Sequence, residues 1–241
     1  MDTSIAVALS AQRTLLRQLD VVANNIANAN SVGFRSESVD FESIISNATP
    51  DKTFFVEVAD VQFSHSEGAK LQTGNSLDIA ITGEGYLALQ TPAGTVYTRD
   101  GRMMVNPFGE LQSLEGYPVL DASGAPILVP SRGKDIIIHG DGRIIDAGKT
   151  IGNIGVFDLP PELVSARFGN SAFTASREPQ PIALGTNTSI VQGYVEASNT
   201  DPMRELANLI TVQRSFEAVS DLIEKADGAV RKSVDELSQR G

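Results

Sequence analysis

The chain has 241 residues, 41% of them hydrophobic and 20% charged, with a formal net charge of −11 and no cysteine. Disulfides and thiolate metal sites are therefore excluded, and an acidic chain without clustered Lys and Arg is a poor partner for nucleic acid or for acidic membrane surfaces. No apolar run approaches the roughly 18 to 20 residues of a membrane span, and MDTSIAVALSAQRTLLRQLD has no basic region ahead of its apolar residues, so a cleavable signal peptide is not expected.

A first helix is predicted from about residue 4 to about residue 30. Ile5, Leu9, Leu16, Leu19, Ala23 and Ile26 fall on one stripe, with Gln12 as its polar member, and Ala8, Leu15, Val22 and Ala29 lie beside it at seven-residue spacing. The combined apolar face is wide enough for more than one neighbour. Asn24, Asn25, Asn28 and Asn30 crowd its last turns. Asparagine amides compete for backbone groups, so they either fray the end or fix register against a partner. Gly33 is placed to stop the helix in a left-handed conformation.

Residues 34–60 read as a bridge. Pro50 breaks its first half, and alternation from Phe55 to Phe63 suggests a strand. From about residue 71 to 191, short β-branched runs alternate with turn signals. Gly83-Glu84-Gly85 and Gly140-Asp141-Gly142 read as hairpin turns, the second being an Asp-Gly pair between apolar strands. No helical crossover separates the runs, so the sheet is predicted antiparallel, a barrel or a folded sandwich.

The last helix begins at Asp201-Pro202, where Asp201 caps free amides and Pro202 needs no donor. It runs to about residue 239. Leu209, Phe216, Ile223, Val230 and Leu237 recur at every seventh position, and Val212, Val219 and Ala226 fill the three-residue offset. That a/d pattern demands a helical partner. The fold expected is thus mainly β with α termini: a central antiparallel β-domain flanked by long helices that pack as a coiled coil. Its parts are an N-terminal helix at 1–33, a bridge at 34–60, a β-rich domain at 61–193 and a C-terminal helical part at 194–241.

Catalytic chemistry has little support. His65 and His139 lie far apart and read as solvated. An acid pair such as Asp78 with Glu84 is expected by chance among 30 acidic residues. Neither Gly-x-Gly turn is followed by a helix start, so neither cradles phosphate, and Asp141 with Asp146 lacks the carboxylate density of a calcium loop. No catalytic residue, cofactor or metal is predicted.

Three segments together resemble the rod and hook proteins of the bacterial flagellum. LDVVANNIANANSVGFR, residues 19–35, is similar to the family's N-terminal signature, which ends in Gly-Phe-Lys/Arg. LDIAITGEGYLALQTPAGTVYTRDGRMMVNPFGELQSLEGYPVL, residues 77–120, resembles its β-domain opening, with Tyr-Thr-Arg followed by Gly-Tyr-Pro-Val. VQGYVEASNTDPMRELANLITVQRSFEAVSDLI, residues 191–223, resembles its C-terminal signature, with Gly-x-x-Glu-x-Ser-Asn before Gln-Arg-x-Phe-Glu. Ile26 stands where leucine is usual, and Ser31-Val32 where two threonines are common. The short bridge and the total length fit the proximal-rod members; the distal-rod members carry an insertion there.

The resemblance implies a structural subunit of the basal-body rod, exported unfolded through the flagellar type III apparatus without a cleaved signal. It implies assembly with copies of itself and with other rod proteins into a drive shaft around an export channel. The assembly residues carried over are Leu19, Val22, Ala23, Asn24, Asn25, Ile26, Asn28, Gly33 and Phe34 at the N-terminal end, and the apolar stripe adds Leu16. At the other end they are Gln213, Arg214, Phe216 and Glu217, and the heptad seam adds Leu209, Val219, Ile223 and Val230. An intramolecular two-helix stalk is the alternative use of the same side chains. A distal-rod protein of the same family remains a second reading, and a periplasmic glycan-binding β-domain, with Tyr86, Tyr97 and Tyr117 as stacking platforms, a third.

Overall fold

The computed structural model describes residues 2–46, 53–130, 136–185 and 187–238, with side chains at 2–6, 40–60, 227 and 230–238 outside that description. It divides into two compact units. The first comprises residues 1–27, 37–64 and 201–241; the second comprises 28–36 and 65–200.

The first unit holds helix α1 (Asp2–Ala27), a hairpin of strands β1 (Glu37–Ser46) and β2 (Thr53–Phe63), and helix α2 (Pro202–Ser238). α2 starts where Asp201 Oδ1 accepts from the Met203 and Arg204 amides at 3.0 and 3.2 Å, which satisfies two of the donors a helix start leaves free. The two helices lie against each other, and the hairpin packs on α1. Gln12 Nε2 donates to Ser220 Oγ at 3.1 Å across the helix pair.

Two sequence expectations change here. α1 ends at Ala27, three residues early, because the next residues close a turn of their own: Ser31 N donates to Asn28 O at 3.0 Å and Ser31 Oγ to Asn28 Oδ1 at 3.0 Å. The first half of the bridge is a strand, not an irregular segment, paired antiparallel with β2 through a register shift at Asp40/Phe41. The extra residue of that shift, Ala59, is on β2; β1 is hidden in the sequence because Glu37, Asp40 and Glu42 are poor strand formers and Ile44 and Ile45 are adjacent.

The second unit is antiparallel throughout its paired strands. Its largest sheet has the order Val156–Phe157, Tyr86–Thr91, Gly94–Thr98, Ala172–Ala175, Val164–Phe168. Smaller ladders join Ile79–Thr82 to Ser189–Gln192, Lys70–Gln72 to Tyr194–Glu196, and Met103–Val105 to Leu111–Ser113. Among the described residues no sheet closes into a barrel. The strands are too short, and turns interrupt them too often, for one ladder to wrap. Ile79, Ile81, Leu87, Leu111, Val119 and Ile144 form the heart of the core.

Gly140-Asp141-Gly142 does turn a hairpin, between Ile136–Ile138 and Arg143–Asp146. Gly83-Glu84-Gly85 does not. The strand before it pairs with Ser189–Gln192 and the strand after it with Gly94–Thr98. The segment is a corner between two ladders, and the backbone beside it leaves no room for a side chain: a Cβ on Gly83 would stand 2.3 Å from Asn187 O.

Candidate assembly site: a buried ionic clasp and two outward helix faces

Within the second unit, segments distant in sequence meet on one carboxylate. Glu196 is 1% exposed. Its Oε1 lies 2.8 Å from Arg35 Nη2 and its Oε2 3.1 Å from Arg99 Nη1. Gly68 N donates to Oε1 at 2.9 Å. Each guanidinium spends further donors on carbonyls: Arg35 on Ser66 O, and Arg99 on Gly83 O at 2.7 Å. Arg99 also stands over the Tyr86 ring at 5.1 Å. Burial pulls the Arg99 guanidinium below its ordinary range against the pull of Glu196, and burial raises the Tyr86 phenol.

Backbone and amide contacts complete the clasp. Gly33 N donates to Glu196 O at 2.7 Å, Asn199 N to Phe34 O at 3.3 Å, and Ser36 N to Asn199 Oδ1 at 2.8 Å. Asn199 Nδ2 donates to Ser66 O at 2.9 Å. Phe34 is fully buried, with the Arg167 guanidinium 4.5 Å from its ring centroid and donating to Arg35 O at 2.6 Å. The three family-like segments thus converge: Gly33-Phe34-Arg35, Arg99 of Tyr-Thr-Arg, and Glu196 with Asn199.

Arg35, Arg99 and Glu196 are buried, paired charges that sequence reasoning missed. Charged residues are almost never fully buried unless paired, so each alone reads as surface. The available signal was a charge at a fixed place in each of the three motifs, two positive and one negative.

His65 borders the clasp in a cleft of about 170 Å³ lined also by Glu84, Tyr86, Arg99, Leu159 and Pro160. Desolvation, followed by Arg35, holds its imidazole below the ordinary 6.5. As pH falls, the unfolded chain takes up the proton first. Stability should therefore be flat above about 6.5, decline as pH drops through that value toward the lower folded one, and level off beneath it. Urea midpoints between pH 5 and 8 should show this step, and His65→Gln should remove it. No group of three or more His, Asp or Glu stands within reach of a metal among the described residues.

Of the rings proposed as glycan platforms, Tyr86 and Tyr97 are closed off and Tyr117 is half-closed. Tyr86 and Tyr97 are buried, packing edge-on against Phe173 and Phe157 at 6.0 and 5.8 Å, and half-buried Tyr117 packs edge-on against Phe168. A ring with its edge and faces inside a core cannot stack on a sugar.

Within the first unit, the predicted assembly residues of α1 are buried, half-buried or exposed. Val22 and Asn25 are buried. Asn25 Nδ2 donates to Glu37 O at 2.8 Å and its Oδ1 accepts from Glu37 N at 2.9 Å, pinning the start of β1 to α1. That amide is occupied inside the chain, and Asn28, in the second unit's turn, is buried as well. Leu19, Asn24 and Ile26 are half-buried. Leu16 is 46% exposed, its heptad neighbour Leu9 47%, and Ala23 is exposed in the same line.

On α2, Val212 is buried and Leu209, Phe216, Val219 and Ile223 are half-buried, so the heptad seam faces inward within this unit. Gln213, Arg214 and Glu217 are exposed. Gln213 Nε2 donates to Glu217 Oε1 at 3.2 Å. The Val230 side chain lies outside the described residues. A second apolar line that sequence reading did not single out, Met203, Leu206 and Ile210, is 75%, 43% and 53% exposed.

Comparison with known proteins agrees with the three motifs. Residues 5–35 match the family model described as flagella basal body rod protein, residues 80–145 that of the flagellar hook protein FlgE/F/G D1 domain, and residues 191–239 that of the flagellar basal body rod FlgEFG protein C-terminal. The chain is 40% identical to the flagellar basal-body rod protein FlgF of Mesorhizobium japonicum, covering 100% of both chains. It is 36% identical to FlgF of Caulobacter vibrioides over 99% of each. It is 32% identical to the flagellar basal-body rod protein FlgG of Bacillus subtilis over 96% of this chain and 97% of that one. With full-length relatives at this identity and the signature segments folded onto one clasp, the chain belongs to the flagellar basal-body rod protein family, FlgF type.

Proposed function

We propose that the chain is a structural subunit of the flagellar basal-body rod, of the proximal-rod kind. Its terminal helices join copies of itself and other rod proteins into the axial shaft that transmits torque and surrounds the export channel. The observation that carries this reading is the outward heptad line of α1. Leu9, Leu16 and Ala23 keep seven-residue spacing while facing solvent, and a repeat of that period has no use on a surface helix that packs nothing. The half-buried α2 seam closes on α1 first, and the outward lines are left for coiled-coil contacts with neighbours. The helices Asp2–Ala27 and Pro202–Ser238 supply this helical part, together with the hairpin of β1 and β2, and residues 65–200 make up the β-rich part. Val22, Asn25, Asn28, Gly33 and Phe34 then act inside the chain, setting how it leaves α1.

The proximal over the distal kind is supported by identities of 35–40% to FlgF relatives against 27–32% to FlgG relatives. The test is the Leu9→Asp/Leu16→Asp variant. It should abolish assembly of the purified chain and swimming in a strain lacking its own copy. The near-ultraviolet tyrosine signal of the β-rich unit should be unchanged. Normal motility would remove the α1 face from the shaft.

A further inference from the structure

α1 and α2 carry matching charge sequences on their solvent faces. On α1, Leu9, Arg13, Leu16, Asp20, Ala23 and Ala27 recur at four- and three-residue steps and are all exposed, with Arg17 alongside. On α2, Arg214, Glu217 and Asp221 are exposed at three- and four-residue steps, opposite the inward seam. Along α1 the charges run plus, plus, minus at positions 13, 17 and 20. Along α2, taken backwards, they run minus, minus, plus at 221, 217 and 214. The steps are the same, four then three. Set antiparallel, Arg13 meets Asp221, Arg17 meets Glu217 and Asp20 meets Arg214 in one register. None of these six takes part in an ion pair among the described residues.

Resting on the helix-mediated assembly above, we propose that neighbouring copies pack side by side with α1 of one against α2 of the next, antiparallel, in the register those three ion pairs fix. Three further observations agree. Gln12 bonds Ser220 within one copy, so Arg13 and Asp221 stand within about 3 Å of one height, and neighbouring copies need an axial shift of only about 3 Å to bring them together. In that register the large, exposed Ile210 comes opposite the small residues Ala23 and Ala27, which leave room for it. The contact also joins two different faces, so it repeats from copy to copy without closing into a dimer, as a filament requires.

The experiment uses full-length chain. Arg13→Glu/Arg17→Glu should weaken self-association about tenfold, since surface pairs are individually small and three act together. Glu217→Arg/Asp221→Arg should do the same, and the four changes in one chain should restore it. Because the chain has no cysteine, Leu16→Cys and Ala218→Cys chains with different tags can be mixed and treated with a short bis-maleimide. The mixed pair should exceed either like pair. Like pairs dominating, or charge reversals that the combined variant fails to rescue, would overturn the register. If charge reversal has no effect while Leu9→Asp/Leu16→Asp still blocks assembly, only the ion-pair register fails. If neither has an effect, the helix-mediated reading fails with it.

Discussion

Glu196→Ala should destabilise the β-rich unit by about 3–5 kcal/mol, the usual cost of breaking a buried ion pair by removing one partner. Two guanidinium groups, on Arg35 and Arg99, then remain in the core with no carboxylate between them, and the Gly68 amide loses its acceptor. Urea unfolding followed by the near-ultraviolet signal of Tyr86 and Tyr97 reads the loss directly, because both rings are buried in this unit. Glu196→Gln keeps the shape and removes the charge, so it should recover only a minor part. Replacing Arg35, Arg99 and Glu196 together by methionine should cost far less than Glu196→Ala, since apolar residues of similar volume often substitute for a buried ionic group without penalty. If Glu196→Ala leaves the midpoint unchanged, the clasp contributes no net stability.

Gly33→Ala should be the next most damaging single change. Gly33 has a φ of +68°, where an L side chain costs about 1–2 kcal/mol. A Cβ there would stand 2.3 Å from Asp100 N and 2.6 Å from Arg99 C. Those are backbone atoms, so the strand end must move, and overpacking of this kind adds about 1–3 kcal/mol. The movement also pulls on Gly33 N, which donates to Glu196 O. The expected result is a loss of about 2–5 kcal/mol, measured by the same unfolding assay. Gly74→Ala is the control, because a Cβ there meets nothing within 4 Å at a similar φ of +73°. It should cost only the backbone strain.

How much was legible in advance depended on the kind of signal. The start of α2 was readable to the residue, because Asp201 and Pro202 act through local chemistry. The antiparallel character of the β-rich unit was readable too, since nothing in the chain supplies crossover helices. The strand at Glu37–Ser46 was not, as Glu37, Asp40 and Glu42 are poor strand formers and the adjacent Ile44 and Ile45 interrupt its alternation. The clasp was least legible of all. Arg35, Arg99 and Glu196 look like solvated charges until tertiary structure brings them together. The same holds for the outward face of α1: both of its stripes are apolar, and only the packing of α2 and the hairpin decides which one is covered.

The clasp has a kinetic consequence. Ser36 and Asn199, whose bond belongs to it, lie 163 residues apart. Closing so large a loop is slow, because its entropy must be surrendered before the contacts reward it. A chain that becomes available from one end cannot lock these contacts until residues 33–36 and 196–199 are both free. The clasp should therefore be among the last parts of the β-rich unit to order.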